Sequence, residues 1–82
     1  MTDEQITAAV VDILAQIADA DPAQVRGDSV FDTDLDVDSL LMVEILVAVE
    51  DHFSIRIPDT EARTMKTVAD LVNLIQQCLV AG

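Results

Sequence analysis

The chain has 82 residues, of which 51% are apolar and only two, Phe31 and Phe53, are aromatic. That is enough hydrophobic material for one small aliphatic core, and it leaves no aromatic platform on which bases or sugars stack. Sixteen acidic residues against four basic ones give a net charge of −12, which repels nucleic acid and favours a protein partner carrying Arg and Lys.

Ile6, Val10, Ile13, Leu14 and Ile17 recur at helical spacing and predict an amphipathic helix of about four turns, with Thr2 and Gln5 placed as a capping box. From Asp19 to Asp38 the helical period stops. This stretch holds Pro22, Gly27 and seven aspartates (Asp19, Asp21, Asp28, Asp32, Asp34, Asp36, Asp38) and reads as a long loop pinned to the core by Val25, Val30, Phe31 and Leu35. Loops of that length in a compact domain are usually functional. Helical periodicity resumes from Ser39 to Phe53, with Asp38 in the N-cap position.

Ile57-Pro58-Asp59 then breaks the chain, and Asp59 is placed to cap a short helix running to about Thr64. Thr67, with Asp70 three residues on, opens a last helix whose stripe is Val68, Leu71, Val72, Ile75 and Leu79. Ser54 to Ile57 alternates like a strand but has no second strand to pair with. The expected fold is therefore all-α: a small four-helix bundle, three helices long and one short, with a long loop between the first two.

At about 100° per residue, the helix from Ser39 sets Met42, Ile45, Leu46, Val49 and Phe53 on one side as its core face. Opposite lie Leu40, Val43, Glu44, Val47 and Asp51, with Glu50 at the margin. Two readings of that outer face stand side by side. It is either a solvated face with a few stray aliphatics, or a docking face whose apolar centre and acidic rim match a partner with a basic rim. Ser39 also admits two readings. A serine at a helix start is ordinarily a cap, but Asp38 already holds that place and leaves the Ser39 hydroxyl able to project. An anion attached there would sit near the unpaired N–H groups of the helix start, opposed by the charges of Asp36 and Asp38.

The run Asp34-Leu35-Asp36-Val37-Asp38-Ser39-Leu40, followed by Val43-Glu44, Glu50-Asp51-His52-Phe53 and Ile57-Pro58-Asp59, resembles the acyl carrier proteins of fatty-acid and polyketide synthesis. The resemblance covers nearly the whole chain, with Asp38-Ser39-Leu40 standing as the family's Asp-Ser-Leu signature. It implies that Ser39 accepts 4′-phosphopantetheine from coenzyme A through a phosphopantetheinyl transferase, with Asp38 and Leu40 beside the attachment point. It further implies that the arm holds growing acyl chains as thioesters. These go to type II synthase enzymes of the ketosynthase, acyltransferase, ketoreductase and dehydratase kinds. On this reading the protein is a monomeric carrier and not an enzyme. Asp36, Leu40, Val43, Glu44, Val47, Glu50 and Asp51 are its partner-binding residues. Phe31, Met42, Leu46, Phe53, Ile57, Met65 and Leu71 are candidates for lining an acyl slot, against the alternative of an ordinary closed core. Met42 and Met65 are adaptable fillers suited to an interior that expands. One departure is Asp36, where the family commonly has glycine; it adds charge and stiffens the approach to Ser39.

Competing chemistry lacks parts. The alternating aspartates suggest an EF-hand, but counting from Asp32 puts Val37 and Val43 where glycine and glutamate are required, and counting from Asp34 puts Ser39 and Ile45 there. His52 is the only histidine and stands about 20 Å along the helix from Ser39, too far for proton transfer. Cys78 is the only cysteine, which excludes an intrachain disulfide and favours a reducing compartment; it reads as a packing residue. Arg26, Arg56, Arg63 and Lys66 are the whole basic inventory and are assigned no functional role. No apolar run reaches the roughly 18 residues of a membrane span. Met1-Thr2-Asp3-Glu4 is acidic where a signal peptide is basic, so the expectation is one cytoplasmic domain over residues 1–82. Two alternatives stay open: an aminoacyl or peptidyl carrier using the same arm, and an unmodified acidic adaptor that binds a basic partner.

Overall fold

The computed structural model describes residues 2–81; Met1, used above for the N-terminal charge pattern, and Gly82 lie outside the described residues. Four helices follow in order, α1 (Asp3–Ile17), α2 (Ser39–Phe53), α3 (Asp59–Ala62) and α4 (Val68–Ala81). This is the expected all-α arrangement, with residues 18–38 as the long loop. Ser54 to Ile57 forms no strand, and an isolated bridge joins Val30 to Thr67. None of the described helices is long and apolar enough to cross a membrane.

Local chemistry sets the helix starts. Gln5 N–H donates to Thr2 Oγ1 at 3.2 Å and Thr2 N–H donates to Gln5 Oε1 at 3.0 Å, which completes the capping box of α1. At the far end Ala18 N–H reaches back to the Leu14 carbonyl, and Asp19, at φ 57°, turns the chain away in the left-handed region. At α4 the Asp70 carboxylate accepts from the N–H groups of Lys66 at 2.9 Å and Thr67 at 3.1 Å, while Asp70 N–H donates to Thr67 Oγ1. Those two backbone donors hold the Asp70 carboxyl below its usual value, with the Thr67 hydroxyl and the Lys66 charge adding to the effect against a small opposing cost of burial.

One expectation is corrected at α3. Pro58, not Asp59, is its N-cap residue, and no side chain caps it. Proline at φ −62°, ψ 140° keeps the chain extended up to the helix, so Asp59 becomes the first helical residue and its carboxylate favours the helix start through the dipole alone. The helix closes at Ala62, two residues before Thr64.

α1 packs against both α2 and α4. The fully buried side chains are Ile6, Val10 and Leu14 of α1, Ile45 and Val49 of α2, and Val68, Leu71 and Ile75 of α4, an aliphatic core throughout. Each contributes about 1.5–3 kcal/mol of transfer free energy. The long loop is fastened to the start of α4 by its own backbone. Val68 N–H donates to the Ser29 carbonyl at 3.0 Å, Ala69 N–H to the Gly27 carbonyl at 2.8 Å, and Phe31 N–H to the Lys66 carbonyl at 3.0 Å. Loop carbonyls thus satisfy orphan donors of α4, while Phe31 and Val37 plug into the core. Val25 and Leu35 pack more shallowly than Phe31, being half-buried against that core, while Val30 is half-buried and lines an open groove.

Candidate functional site

The last turn of the loop aims the chain at the start of α2. Asp34 and Leu35 N–H groups both donate to the Val30 carbonyl, Val37 N–H donates to the Phe31 carbonyl at 2.8 Å, and the Asp34 carboxylate accepts from Val30 N–H at 2.8 Å. Asp36 completes this turn at φ 55°, in the left-handed region. A side chain is strained there, although aspartate tolerates it better than most residues. Glycine adopts that conformation without strain, which gives a physical reason for glycine at this position in the resembling family.

Asp38 then caps α2, its carboxylate accepting from Leu41 N–H at 2.8 Å. The capping duty lies with Asp38, and Ser39 is the exposed first residue of the helix. The aspartates that alternate through this stretch are spent in part on turn and cap bonds, and among the described residues no three of His, Cys, Asp and Glu converge to hold a metal ion.

Ser39 is among the residues that line an open groove of about 860 Å³. Phe31 and Val37 from the loop, Met42 and Leu46 from α2, and Ala62 and Met65 from α3 and beyond supply its apolar lining. Of the seven slot candidates, Phe31, Met42, Leu46 and Met65 line it. The other three do not. Leu71 is fully buried in the α4 face of the core, Ile57 is buried under the turn before α3, and Phe53 is buried at the end of α2 and borders a second groove at the opposite end. The physical reason is depth: helical periodicity separates buried from exposed positions but does not distinguish a core residue from the rim of a cleft. Val30, Val37 and Ala62 were missed as lining residues. Val37 carries the one legible signal, an isolated apolar residue held between two aspartates.

Arg63 and Lys66 also line this groove, together with Asp32, Asp38 and Asp59. Sequence reasoning gave these cations no role because exposed pairs contribute little to stability, a criterion blind to position.

The outer face of α2 exposes three large aliphatic side chains. Leu40 is 71% exposed, Val43 58% and Val47 53%, with Glu44 and Asp51 exposed beside them. Asp36 is exposed as well, at the entrance to this face. Glu50 departs from its expected place. It is half-buried, and its carboxylate accepts from Ile57 N–H at 2.7 Å, bracing the turn that follows α2. That bond turns it toward Ile57, away from the exposed Leu40, Val43 and Val47. His52 is exposed in the last turn and meets the Phe53 ring edge-on at 4.8 Å. Cys78 is half-buried, its thiol donating to the Arg56 carbonyl at 3.6 Å. Burial pushes that thiol up in pKa and the charges of Glu61 and Glu50 push it further, as befits a packing residue.

These features fit a flexible arm joined to Ser39 through a phosphate: an exposed hydroxyl, a cap that does not compete for it, and a partly apolar groove that Ser39 itself lines. A family model described as "Phosphopantetheine attachment site" matches residues 8–75, a span that includes Ser39. An acyl carrier protein of Acidothermus cellulolyticus is 40% identical over 82 residues, covering 100% of this chain and 98% of that protein. One of Thermobifida fusca is 41% identical over 76 residues, covering 93% of this chain and 96% of its own length. The meromycolate extension acyl carrier protein of Mycobacterium leprae is 38% identical over 77 residues, covering 94% of this chain and 67% of that protein.

Proposed function

The chain belongs to the acyl carrier proteins, which bear phosphopantetheine and carry acyl groups without catalysing their chemistry, and from that premise we propose that Ser39 is its attachment residue. The observation that carries the proposal is the division of labour at the start of α2, where Asp38 caps and Ser39 stands exposed in the lining of the groove. In the modification the Ser39 Oγ–phosphorus bond forms at the pantetheine-side phosphate of coenzyme A, the pyrophosphate linkage breaks, adenosine 3′,5′-bisphosphate leaves, and the hydroxyl proton is released. When bound, the arm supplies a terminal thiol for thioester formation and a tether that raises the local concentration of its cargo. Asp38 and Leu40 flank the attachment point, and Phe31, Met42, Leu46 and Met65 offer an apolar surface to the acyl chain.

An acyl carrier works with a phosphopantetheinyl transferase and with synthase enzymes. For this chain the clients are of the ketosynthase, acyltransferase, ketoreductase and dehydratase kinds in a type II fatty-acid or polyketide system, and the docking face is that of α2. Leu40, Val43 and Val47 form its apolar centre, with Glu44, Asp51 and Asp36 at the rim. Their exposure and the net charge of −12 support this assignment, because the field of an acidic face speeds encounter with a basic one. The same charge and the single cysteine support a monomeric, cytoplasmic carrier domain over residues 1–82.

Cys78 makes the test simple, since it is the only thiol the polypeptide has. After incubation with coenzyme A and a broad-specificity transferase, denatured wild type should titrate as two thiols per chain and Ser39→Ala as one. Two thiols in the variant would place the attachment elsewhere. Charge reversal at Glu44 and Asp51 should weaken binding to a client ketosynthase at low salt while the helical signal stays unchanged; undiminished affinity would remove those residues from the interface.

A further inference from the structure

Arg63 and Lys66 are half of the four basic residues in a chain of net charge −12, and both line the same groove as Ser39. Backbone bonds hold Lys66 near the attachment residue. Its carbonyl accepts from Phe31 N–H at 3.0 Å, and the Phe31 carbonyl accepts from Val37 N–H at 2.8 Å, two residues before Ser39. On its other side Lys66 N–H donates to the Asp70 carboxylate at 2.9 Å, so its backbone is anchored from both directions while its side chain stays exposed. Arg63 closes α3, its N–H donating to the Asp59 carbonyl at 3.1 Å.

The carboxylates nearby do not claim these charges. Asp38 is engaged as the α2 cap, and the Lys66 charge is the weakest of the influences on Asp70. Any pairing of the exposed Arg63 side chain with a groove carboxylate is weak in water, so a second anion can compete for it. The groove therefore combines an apolar wall of Phe31, Met42 and Met65 with two cations and three carboxylates, Asp32, Asp38 and Asp59, and Ser39 shares that lining.

Resting on the Ser39 reading, we propose that Lys66, supported by Arg63, holds the phosphodiester of the attached arm and so lays the arm along the groove instead of leaving it to sweep through solvent. Lys66 is the better placed of the two because the Phe31 relay ties it to the approach to Ser39. A cation brought to about 6 Å of a phosphodiester in a water-like medium biases the arm toward it on the order of threefold, an attraction that the groove carboxylates Asp32, Asp38 and Asp59 reduce. The bias fades as salt shortens the screening length.

The test is phosphorus NMR on the modified wild type and on modified Lys66→Gln, the double variant with Arg63→Gln, and Lys66→Arg, each first confirmed as folded by circular dichroism and as modified by mass. In wild type the phosphorus resonance should move between low and high salt and relax faster than in the double variant, whose resonance should be nearly independent of salt. Lys66→Arg should restore wild-type behaviour. Identical shifts and relaxation in wild type and the double variant, with the mass gain present, would overturn this proposal and leave the attachment reading standing. No mass gain in folded wild type would overturn both.

Discussion

Replacing Asp36 by glycine should stabilise the protein even though it removes a side chain and adds freedom to the unfolded chain. Asp36 sits at φ 55° in the turn that delivers Ser39 to α2. A side chain in the left-handed region costs about 1–2 kcal/mol, and glycine avoids that cost while losing about 0.5–1 kcal/mol through its greater unfolded-state entropy. The net gain is about 0.5–1 kcal/mol, which for a domain of this size raises Tm by about 2–8 °C. Loss of one negative charge from an acidic loop adds in the same direction, so Asp36→Ala is the necessary control: it removes the charge but keeps a Cβ. Thermal and urea unfolding followed by circular dichroism measure both variants, because the chain has neither tryptophan nor tyrosine. The expected order is Asp36→Gly above wild type, with Asp36→Ala no better than wild type by more than a few tenths of a kcal/mol. Equal stabilisation by glycine and alanine would refute the backbone argument and leave charge repulsion as the cause.

Two further outcomes follow from bonds seen in the fold. Glu50→Ala leaves the part-buried Ile57 N–H without its acceptor and should cost about 1–3 kcal/mol in urea unfolding, while Glu50→Gln, which keeps an oxygen at that place, should cost less. A midpoint unchanged by the alanine substitution would show that the bond contributes nothing. The Asp70 carboxyl titrates below its usual 3.8 in the folded protein, so its contribution is fully present above the unfolded value and is lost as pH falls through the folded one. The stability margin of wild type over Asp70→Asn should therefore be constant near neutral pH and shrink as pH drops below 3.8. A margin that stays level to the lowest pH at which the protein remains folded would contradict that assignment.

What could be read from the sequence was what depends on neighbours three or four residues apart. Thr2 with Gln5, and Thr67 with Asp70, are capping pairs whose partners lie within one turn, and both form as expected. The same short period separated Ile45 and Val49 from Leu40, Val43 and Val47 on α2. Asp59 failed as a cap because the torsions imposed by Pro58 moved the helix boundary by one residue, a displacement that residue type alone does not reveal. The helical period sets Glu50 at the margin of the outer face and does not reveal its acceptor role, which depends on where the chain turns seven residues later. The groove was the least legible part. Its walls come from the loop, α2 and the segment after α3, and the bonds that join them, Phe31 to Lys66 and Ser29 to Val68, span more than thirty residues. The separation of Leu71 and Ile57 in the core from Met42 and Met65 on the groove rests on that assembly.

The most direct test of the central claim is the intact mass of wild type and Ser39→Ala after treatment with coenzyme A and a transferase shown to be active on a control carrier, followed by fragmentation of the modified chain. The account predicts one added phosphopantetheine in wild type, carried by Ser39, and none in the variant. A folded, helical wild type that gains no mass, or a phosphopantetheine found on any other residue, would contradict it.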